Sequence, residues 1–348
     1  MFRYIGNKTR LLPEILSKTK EVIGDAGTVV DLMAGTGTVA AEYRKEGYHV
    51  IASDVMTYSK HHLCTELLLD KAPAFSGISS IDLPKMNRYP ALISHINALS
   101  PIEGYFYREF SQDGVPNNGS NPRNYFSPSN AKKIDAIRDF INYLIESQQI
   151  SSIEESVLKH TLIMAVNDVA NISGTYGHYL SKLSTSSLKD IELKTITFSN
   201  MGRIDNVVLQ GFAEDLAPSI TADLCYIDPP YMKRQYAANY HILETIARGD
   251  FPEARGQSGL RNWWDQHSKL CTKTRSEKSF REIISNMNCD DFLISYNEDG
   301  LLSIEQLTEI LSSYGDVRIN KIEYSRFRSN QSTLPRKINE YLIELQKM

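Results

Sequence analysis

The tetrapeptide Asp228-Pro229-Pro230-Tyr231 follows the apolar run Leu224-Cys225-Tyr226-Ile227 in a chain of 348 residues. Two consecutive prolines remove two backbone donors, so the turn they form presents carbonyl acceptors beside a carboxylate. Such a pocket suits an exocyclic amino group. Asp228 and the Pro229 carbonyl would each accept one of its hydrogens, and Tyr231 would stack on the planar ring that carries it. An aryl amine is a poor nucleophile because its lone pair is delocalised into the ring. Holding both hydrogens in acceptors favours a pyramidal nitrogen whose lone pair can attack an electrophile. A rigid turn would also explain paired prolines, so the motif needs support from elsewhere in the chain.

A second segment, Asp31-Leu32-Met33-Ala34-Gly35-Thr36-Gly37, lies between a short apolar run and a helical one. Glycines let the backbone approach a ligand, and a helix N-terminus favours groups that accept hydrogen bonds. Gly35 to Ala40 also satisfies a loose dinucleotide fingerprint, which keeps a nicotinamide-dependent oxidoreductase in play. Asp31 ends the strand before this turn, and Asp54 ends the next strand, where a carboxylate can take both ribose hydroxyls. The two acids point to an adenosine-containing cofactor without choosing among them. The third segment, Tyr4-Ile5-Gly6-Asn7-Lys8, alone reads as a surface turn leading into a helix.

Together these segments resemble the alpha class of S-adenosylmethionine-dependent amino-methyltransferases, the Dam-like adenine-specific DNA methyltransferases. The resemblance covers nearly the whole chain. Tyr4 to Lys8 looks like the family's N-terminal cofactor motif, Asp31 to Gly37 like its glycine loop, and Asp228 to Tyr231 like its catalytic motif. Ser295-Tyr296-Asn297 is similar to a later active-site strand. Between Gly37 and Asp228 lie far more residues than a plain sheet needs, and in this class that interval holds the target-recognition region. The resemblance implies transfer of a methyl group from S-adenosyl-L-methionine to the N6 amine of a flipped adenine in a specific duplex sequence, within a restriction-modification context. It assigns cofactor contacts to Tyr4, Lys8, Asp31, Gly35, Gly37, Asp54 and Asp228, and target-amine contacts to Asp228, Pro229, Pro230 and Tyr231. It implies double-stranded DNA as partner, and a cognate restriction endonuclease as functional counterpart. Relatives often carry an Asp-Phe pair before the catalytic strand, whereas this chain reads Gly211-Phe212-Ala213-Glu214-Asp215. A side-chain contact to the cofactor adenine is therefore not expected there in the family's form.

Other readings compete with this one. Cytosine N4 methylation uses the same chemistry but more often places Ser where Asp228 stands, and compact RNA amino-methyltransferases lack the long insertion. An oxidoreductase leaves Asp228 to Tyr231 unexplained, and a non-catalytic DNA-binding module leaves every chemical position without a purpose.

Lys233, Arg234 and Tyr236 follow the catalytic motif directly, where basic and aromatic side chains could hold phosphates and fill the gap left by a flipped base. From Met232 to Arg281 there are ten Lys and Arg against five Asp and Glu, although the whole chain carries a net charge of −4. A second basic stretch holds Arg318, Lys321, Arg326, Arg328, Arg336 and Lys337. Solvated helix faces explain such runs equally well. Trp263-Trp264 reads first as a core anchor and His178 as a structural histidine, each with DNA contact as the alternative.

Local patterning supplies elements to position these residues. Thr28 to Leu32 and Tyr48 to Ser53 read as strands around a helix from Thr38 to Glu46, which Gly47 ends. Gly114 to Ser129 has the composition of a loop, and Ser127-Pro128 opens a helix through Ile134, Ile137, Ile141 and Leu144. Ile153 to Ala170 is helical and apolar on more than one face, hence buried. Leu193–Phe198 and Asn206–Leu209 read as a hairpin around Asn200-Met201-Gly202. Leu224 to Ile227 and Asp291 to Tyr296 return to the sheet, and Ser303 with Gln306 caps a helix to Ser313. Val317–Tyr324 and Asn339–Leu345 close the sheet as an antiparallel pair. The expected fold is α/β: a Rossmann-like, mostly parallel methyltransferase sheet with an antiparallel closing strand and an inserted, mainly helical domain. Residues 1–60 and 205–348 are assigned to the catalytic domain and 61–204 to the insertion.

Composition excludes several classes. Hydrophobic residues at 41% and charged residues at 23% fit an ordinary globular chain rather than a disordered or fibrous one. No apolar run is long enough to span a membrane, and Met1-Phe2-Arg3-Tyr4 has no secretory signature. Cys64, Cys225, Cys271 and Cys289 are scattered without a CxxC pair, so neither structural zinc nor a disulfide framework is expected, and a reducing intracellular compartment fits best; the family resemblance implies a cytoplasmic setting, on DNA.

Overall fold

The computed structural model describes Gly6, residues 8–325 and residues 337–348. The chain begins with α1 (Leu12–Ile23), β1 (Thr28–Asp31), α2 (Thr38–Lys45) and β2 (His49–Asp54). Helices α3 (Thr57–Leu67), α4 (Arg88–Ala98), α5 (Tyr105–Phe110), α6 (Pro128–Glu146) and α7 (Ser152–Val169) follow. The sheet resumes with β3 (Val207–Gln210), α8 (Ala213–Leu216) and β4 (Leu224–Ile227). Then come α9 (Tyr236–Asn239), α10 (His241–Arg248) and α11 (Lys273–Asn286). The last elements are β5 (Asp291–Asn297), α12 (Ile304–Ser312), β6 (Gly315–Ser325) and β7 (Lys337–Lys347).

Among the described residues, seven strands form one sheet in the order β3-β2-β1-β4-β5-β7-β6. Strands β1 to β5 pair in parallel, and β7 runs antiparallel to β5 and β6. The chain steps outward from β1 to β2 to β3, then returns to lay β4 on the other side of β1. Such a reversal opens a crevice at the carboxyl ends of the central strands, where open α/β sheets bind ligands. Asp31 ends β1, Asp54 ends β2, and Asp228 is the first residue past β4. Topology alone therefore delivers three acids to one edge of the sheet.

Below that edge the sheet is held by apolar packing. Phe292, Ile294 and Tyr296 alternate along β5 and so share one face. They join Val30, Cys225 and Ile227 in a core with Phe280 and Ile283 of α11 and with Leu307 and Ile310 of α12. Each fully buried side chain of this kind contributes about 1.5–3 kcal/mol of transfer free energy. The capping box expected for α12 is present: Ser303 Oγ accepts the Gln306 N–H, and Gln306 Oε1 accepts the Ser303 N–H.

Contacts divide the chain into two compact units. One holds the sheet and comprises residues 8–55, 201–235 and 266–348; the other is built from residues 56–200 and 236–265 together with the N-terminal segment that includes Gly6. The sequence places the insertion in a single stretch, 61–204, whereas residues 236–265 are built into the same helical unit. Local chemistry explains this. Met56, at the N-cap of α3, supplies no side-chain acceptor, and buried Glu244 of α10 accepts the Thr57 and Tyr58 N–H groups instead. Arg248 holds Glu244 in place at 2.7 Å. The polar loop before α6 is likewise anchored. Fully buried Arg123 donates to Glu109 at 2.9 Å and to the carbonyls of Gly256 and Gln257.

The expected hairpin does not form. Val207–Gln210 pairs in parallel with Ile51–Asp54, at the edge of the sheet. Residues 191–196 belong to the helical unit, where side chains take their backbone N–H groups. Asn130 Oδ1 accepts from Ile191, Asn97 Oδ1 from Leu193, and Tyr89 Oη from Ile196.

Candidate active site

The turn between β1 and α2 is built around two glycines with left-handed backbone, Gly35 at φ 55° and Gly37 at φ 79°. Side chains other than glycine's rarely adopt such angles. Gly37 is also the N-cap of α2, where no side chain caps the helix, so its first backbone donors face the turn. The turn is tied to β2: Gly35 N–H donates to Asp54 Oδ2 at 2.9 Å, and Ser53 Oγ donates to the Leu32 carbonyl at 2.8 Å. Asp31 is 1% exposed, and its Oδ1 has no hydrogen-bond partner among the described residues. Burial, with the charges of Asp228 and Asp54 in support, holds its carboxyl well above the usual range, against backbone N–H groups of Met33 and Ala40. A buried acceptor with no partner beside a glycine turn and a second acid fits a polar, adenosine-type ligand.

Asp228 lies past the end of β4, with about a fifth of its side chain exposed. Lys8 Nζ is 3.2 Å from Asp228 Oδ1 and 3.7 Å from Glu340 Oε2, in a side chain only 4% exposed. The same ammonium sits 5.5 Å from the centre of the Tyr231 ring. Burial acts to lower the Lys8 pKa, but the charges of Asp228, Tyr231 and Glu340 outweigh it and keep the amine protonated. Burial pushes the Asp228 carboxyl up to about 6; Lys8 opposes that rise and Glu340 adds to it. Tyr231 packs edge-on against Tyr296 of β5, and its carbonyl accepts the Leu301 N–H at 2.9 Å, which fixes the ring beside the carboxylate.

The structure thus brings Lys8, Asp228 and Tyr231 together and sets Asp31, Gly35, Gly37 and Asp54 around the neighbouring turn, with Pro229 and Pro230 between Asp228 and Tyr231 in the chain. Tyr4 lies outside the described residues. Lys233 and Arg234 are exposed and make no ion pair among the described residues, whereas Tyr236 belongs to the helical unit and stacks on Tyr240. Of the basic residues between Met232 and Arg281, several pair with nearby acids: Arg248 with Glu244 and Asp265, Arg261 with Asp250, Arg255 with Glu253, and Arg281 with Glu277. Of the second basic stretch, Arg326, Arg328 and Arg336 lie outside the described residues. Trp264 is 70% exposed and stacked on Trp263, so the pair is not a core anchor, and His178 is exposed rather than structural. Where relatives carry an acid before the catalytic strand, Glu214 is committed to Ser279 Oγ at 2.6 Å.

Glu340 has no counterpart among the expected site residues. It stands opposite Asn297 in the β5–β7 pair, and Asn297 Nδ2 donates to its Oε1 at 2.8 Å. The available signal was a carboxylate set beside Tyr341-Leu342-Ile343 in a strand that closes the sheet.

Residues 4–310 match the family described as D12 class N6 adenine-specific DNA methyltransferase. The chain is 33% identical to modification methylase StsI of Streptococcus sanguinis and 34% identical to type II methyltransferase M.FokI of Planomicrobium okeanokoites, over 99% of its own length in both cases. It spans 52% of each of those two relatives. With type II methyltransferase M.NlaIII of Neisseria lactamica the identity is 31%, over 94% of this chain and 93% of the relative.

Proposed function

The chain belongs to the D12 class N6 adenine-specific DNA methyltransferase family, and from that premise we propose that it transfers a methyl group from S-adenosyl-L-methionine to the N6 amine of an adenine flipped out of duplex DNA. The observation that carries this reading is the Asp228 carboxylate, partly exposed at the carboxyl edge of the sheet and buttressed by Lys8 and Tyr231. Bound S-adenosylmethionine supplies an activated methyl group on a sulfonium. Asp31, Asp54 and the backbone donors of the Gly35–Gly37 turn would hold its adenosine and amino-acid portions.

The remaining work falls to the protein. A base inside a duplex cannot reach this pocket, so the target must be extruded. Asp228 and the Pro229 carbonyl each accept one amine hydrogen, and Tyr231 stacks on the ring. The amine's lone pair takes the methyl group as the carbon–sulfur bond breaks, and positive charge passes from sulfur to nitrogen. The Asp228 carboxylate stabilises that charge, and the nitrogen then sheds one proton to water. The helical unit supplies target recognition. Two of the relatives are named modification methylase and type II methyltransferase, which supports a cognate restriction endonuclease as functional counterpart; a cytoplasmic setting follows from DNA as substrate.

Tritiated S-adenosylmethionine offered with duplex DNA or with RNA tests the reading. Label is expected in DNA, on N6-methyladenine after digestion to nucleosides. Label confined to RNA or to cytosine would overturn it.

Lys233 and Arg234 are the exposed cations after the catalytic motif and are assigned to phosphate contacts. Neutralising both is expected to lower the salt slope of DNA affinity by about 0.9 per lost contact. An unchanged slope in fluorescence-anisotropy titrations at several salt concentrations would return these side chains to the solvent.

A further inference from the structure

We propose that Glu340 is a positioning residue of the methyl-transfer site, sharing Lys8 with Asp228 so that the Asp228 carboxylate keeps the capacity to take a hydrogen of the target amine. The inference rests on the reading of Asp228 as that acceptor. Three features of the geometry support it.

Lys8 is a buried cation between two acids, at 3.2 Å from Asp228 and 3.7 Å from Glu340. A charge-assisted hydrogen bond between ammonium and carboxylate closes to about 2.7–2.9 Å. Both distances are longer than that: Asp228 keeps a hydrogen bond to Lys8, and Glu340 draws on the same ammonium through charge without one. The Glu340 carboxylate is also oriented. Asn297 Nδ2 fixes Oε1 at 2.8 Å, while Oε2, which has no hydrogen-bond partner among the described residues, is the oxygen nearer Lys8. Glu340 thus acts on Lys8 through charge at a set distance. Finally, Asp228, Lys8 and Glu340 together carry one net negative charge. Without Glu340 the pair would be neutral, Lys8 would draw closer to Asp228, and the positive charge developing on the target nitrogen would meet a weaker compensating field.

Other groups near Asp228 do not substitute for Glu340. Asp31 at the end of β1 is held well toward its neutral form by burial. Buried Tyr226 of β4 and Tyr231 are phenols held toward their neutral forms, and Asp299 acts on Tyr231. Of the charges acting on Asp228, Lys8 lowers its pKa and Glu340 raises it.

The test uses Glu340→Gln, which keeps the Asn297 bond and the side-chain volume but removes the charge, with Glu340→Asp as the conservative variant. In the ligand-free protein labelled with 13C at aspartate carboxyls, the Asp228 resonance is the one lost in Asp228→Asn. Its titration midpoint is expected to fall by about half a pH unit or more in Glu340→Gln and to return toward the parental value in Glu340→Asp. In single-turnover methylation, Glu340→Gln is expected to lower the plateau rate about tenfold and to move the acid limb to lower pH, with DNA affinity unchanged. An unmoved Asp228 midpoint in folded Glu340→Gln overturns the proposal, as does a parental plateau rate. Because the titration needs neither DNA nor methyl donor, failure of the parental protein to methylate adenine would overturn the proposed function separately, leaving the coupling of Glu340 to Asp228 to be judged by the resonance.

Discussion

Asp228→Ala is expected to abolish methyl transfer while DNA binding largely persists. The contact it removes strengthens as charge builds on the target nitrogen, so the loss falls on kcat rather than on affinity. Losing one preorganised charged acceptor at such a site costs roughly 10²–10³-fold or more. Asp228→Asn retains an acceptor carbonyl without the charge and is expected to keep a trace of activity where Ala keeps none. The raised pKa of this carboxyl sets a further expectation. The ionised form is the active one, so the parental rate should be full above the midpoint and lost as pH falls through about 6. Single-turnover methylation of an adenine-containing duplex by the three proteins, with folding checked by circular dichroism, reads all of this. Near-parental rates from folded Asp228→Ala would remove Asp228 from the reaction.

Asp54→Ala is expected to weaken binding of the methyl donor by about 10–100-fold, the value of one charge-assisted hydrogen-bond partner. The structure adds a second reason for the loss. Asp54 Oδ2 accepts the Gly35 N–H at 2.9 Å, so its removal takes away a ribose acceptor and also releases the glycine turn that must approach the ligand. Calorimetric titration with S-adenosylmethionine measures the change. An unchanged dissociation constant would show that neither role is played by this side chain.

The residues at the carboxyl edge of the sheet were legible because their placement is local. A short apolar strand, a breaker and an acid immediately after it define the ends of β1, β2 and β4 without knowledge of the rest of the chain. Ser303 and Gln306 likewise announce α12 within one turn. What was misread depends on partners distant in sequence. Val207–Gln210 has the composition of a strand, but whether it pairs with 193–198 or with β2 is decided where the Asn97 and Asn130 side chains occupy the backbone of the 191–193 segment. The inclusion of residues 236–265 in the helical unit rests on Glu244 capping a helix that begins at Thr57. Charge counting left phosphate contact and solvated faces equally open between Met232 and Arg281, because the acids that pair with several of those arginines are not apparent from a count. Glu340 escaped because its meaning comes from Lys8 at the opposite end of the chain.

The central claim, that this site methylates adenine N6 in DNA through Asp228, is met most directly by single-molecule sequencing of DNA from cells that lack other adenine methylation and express the protein. N6-methyladenine is expected throughout the copies of one short sequence with the parental protein, and none with Asp228→Ala. Unmodified adenine despite abundant folded protein, or N4-methylcytosine in its place, would contradict the account.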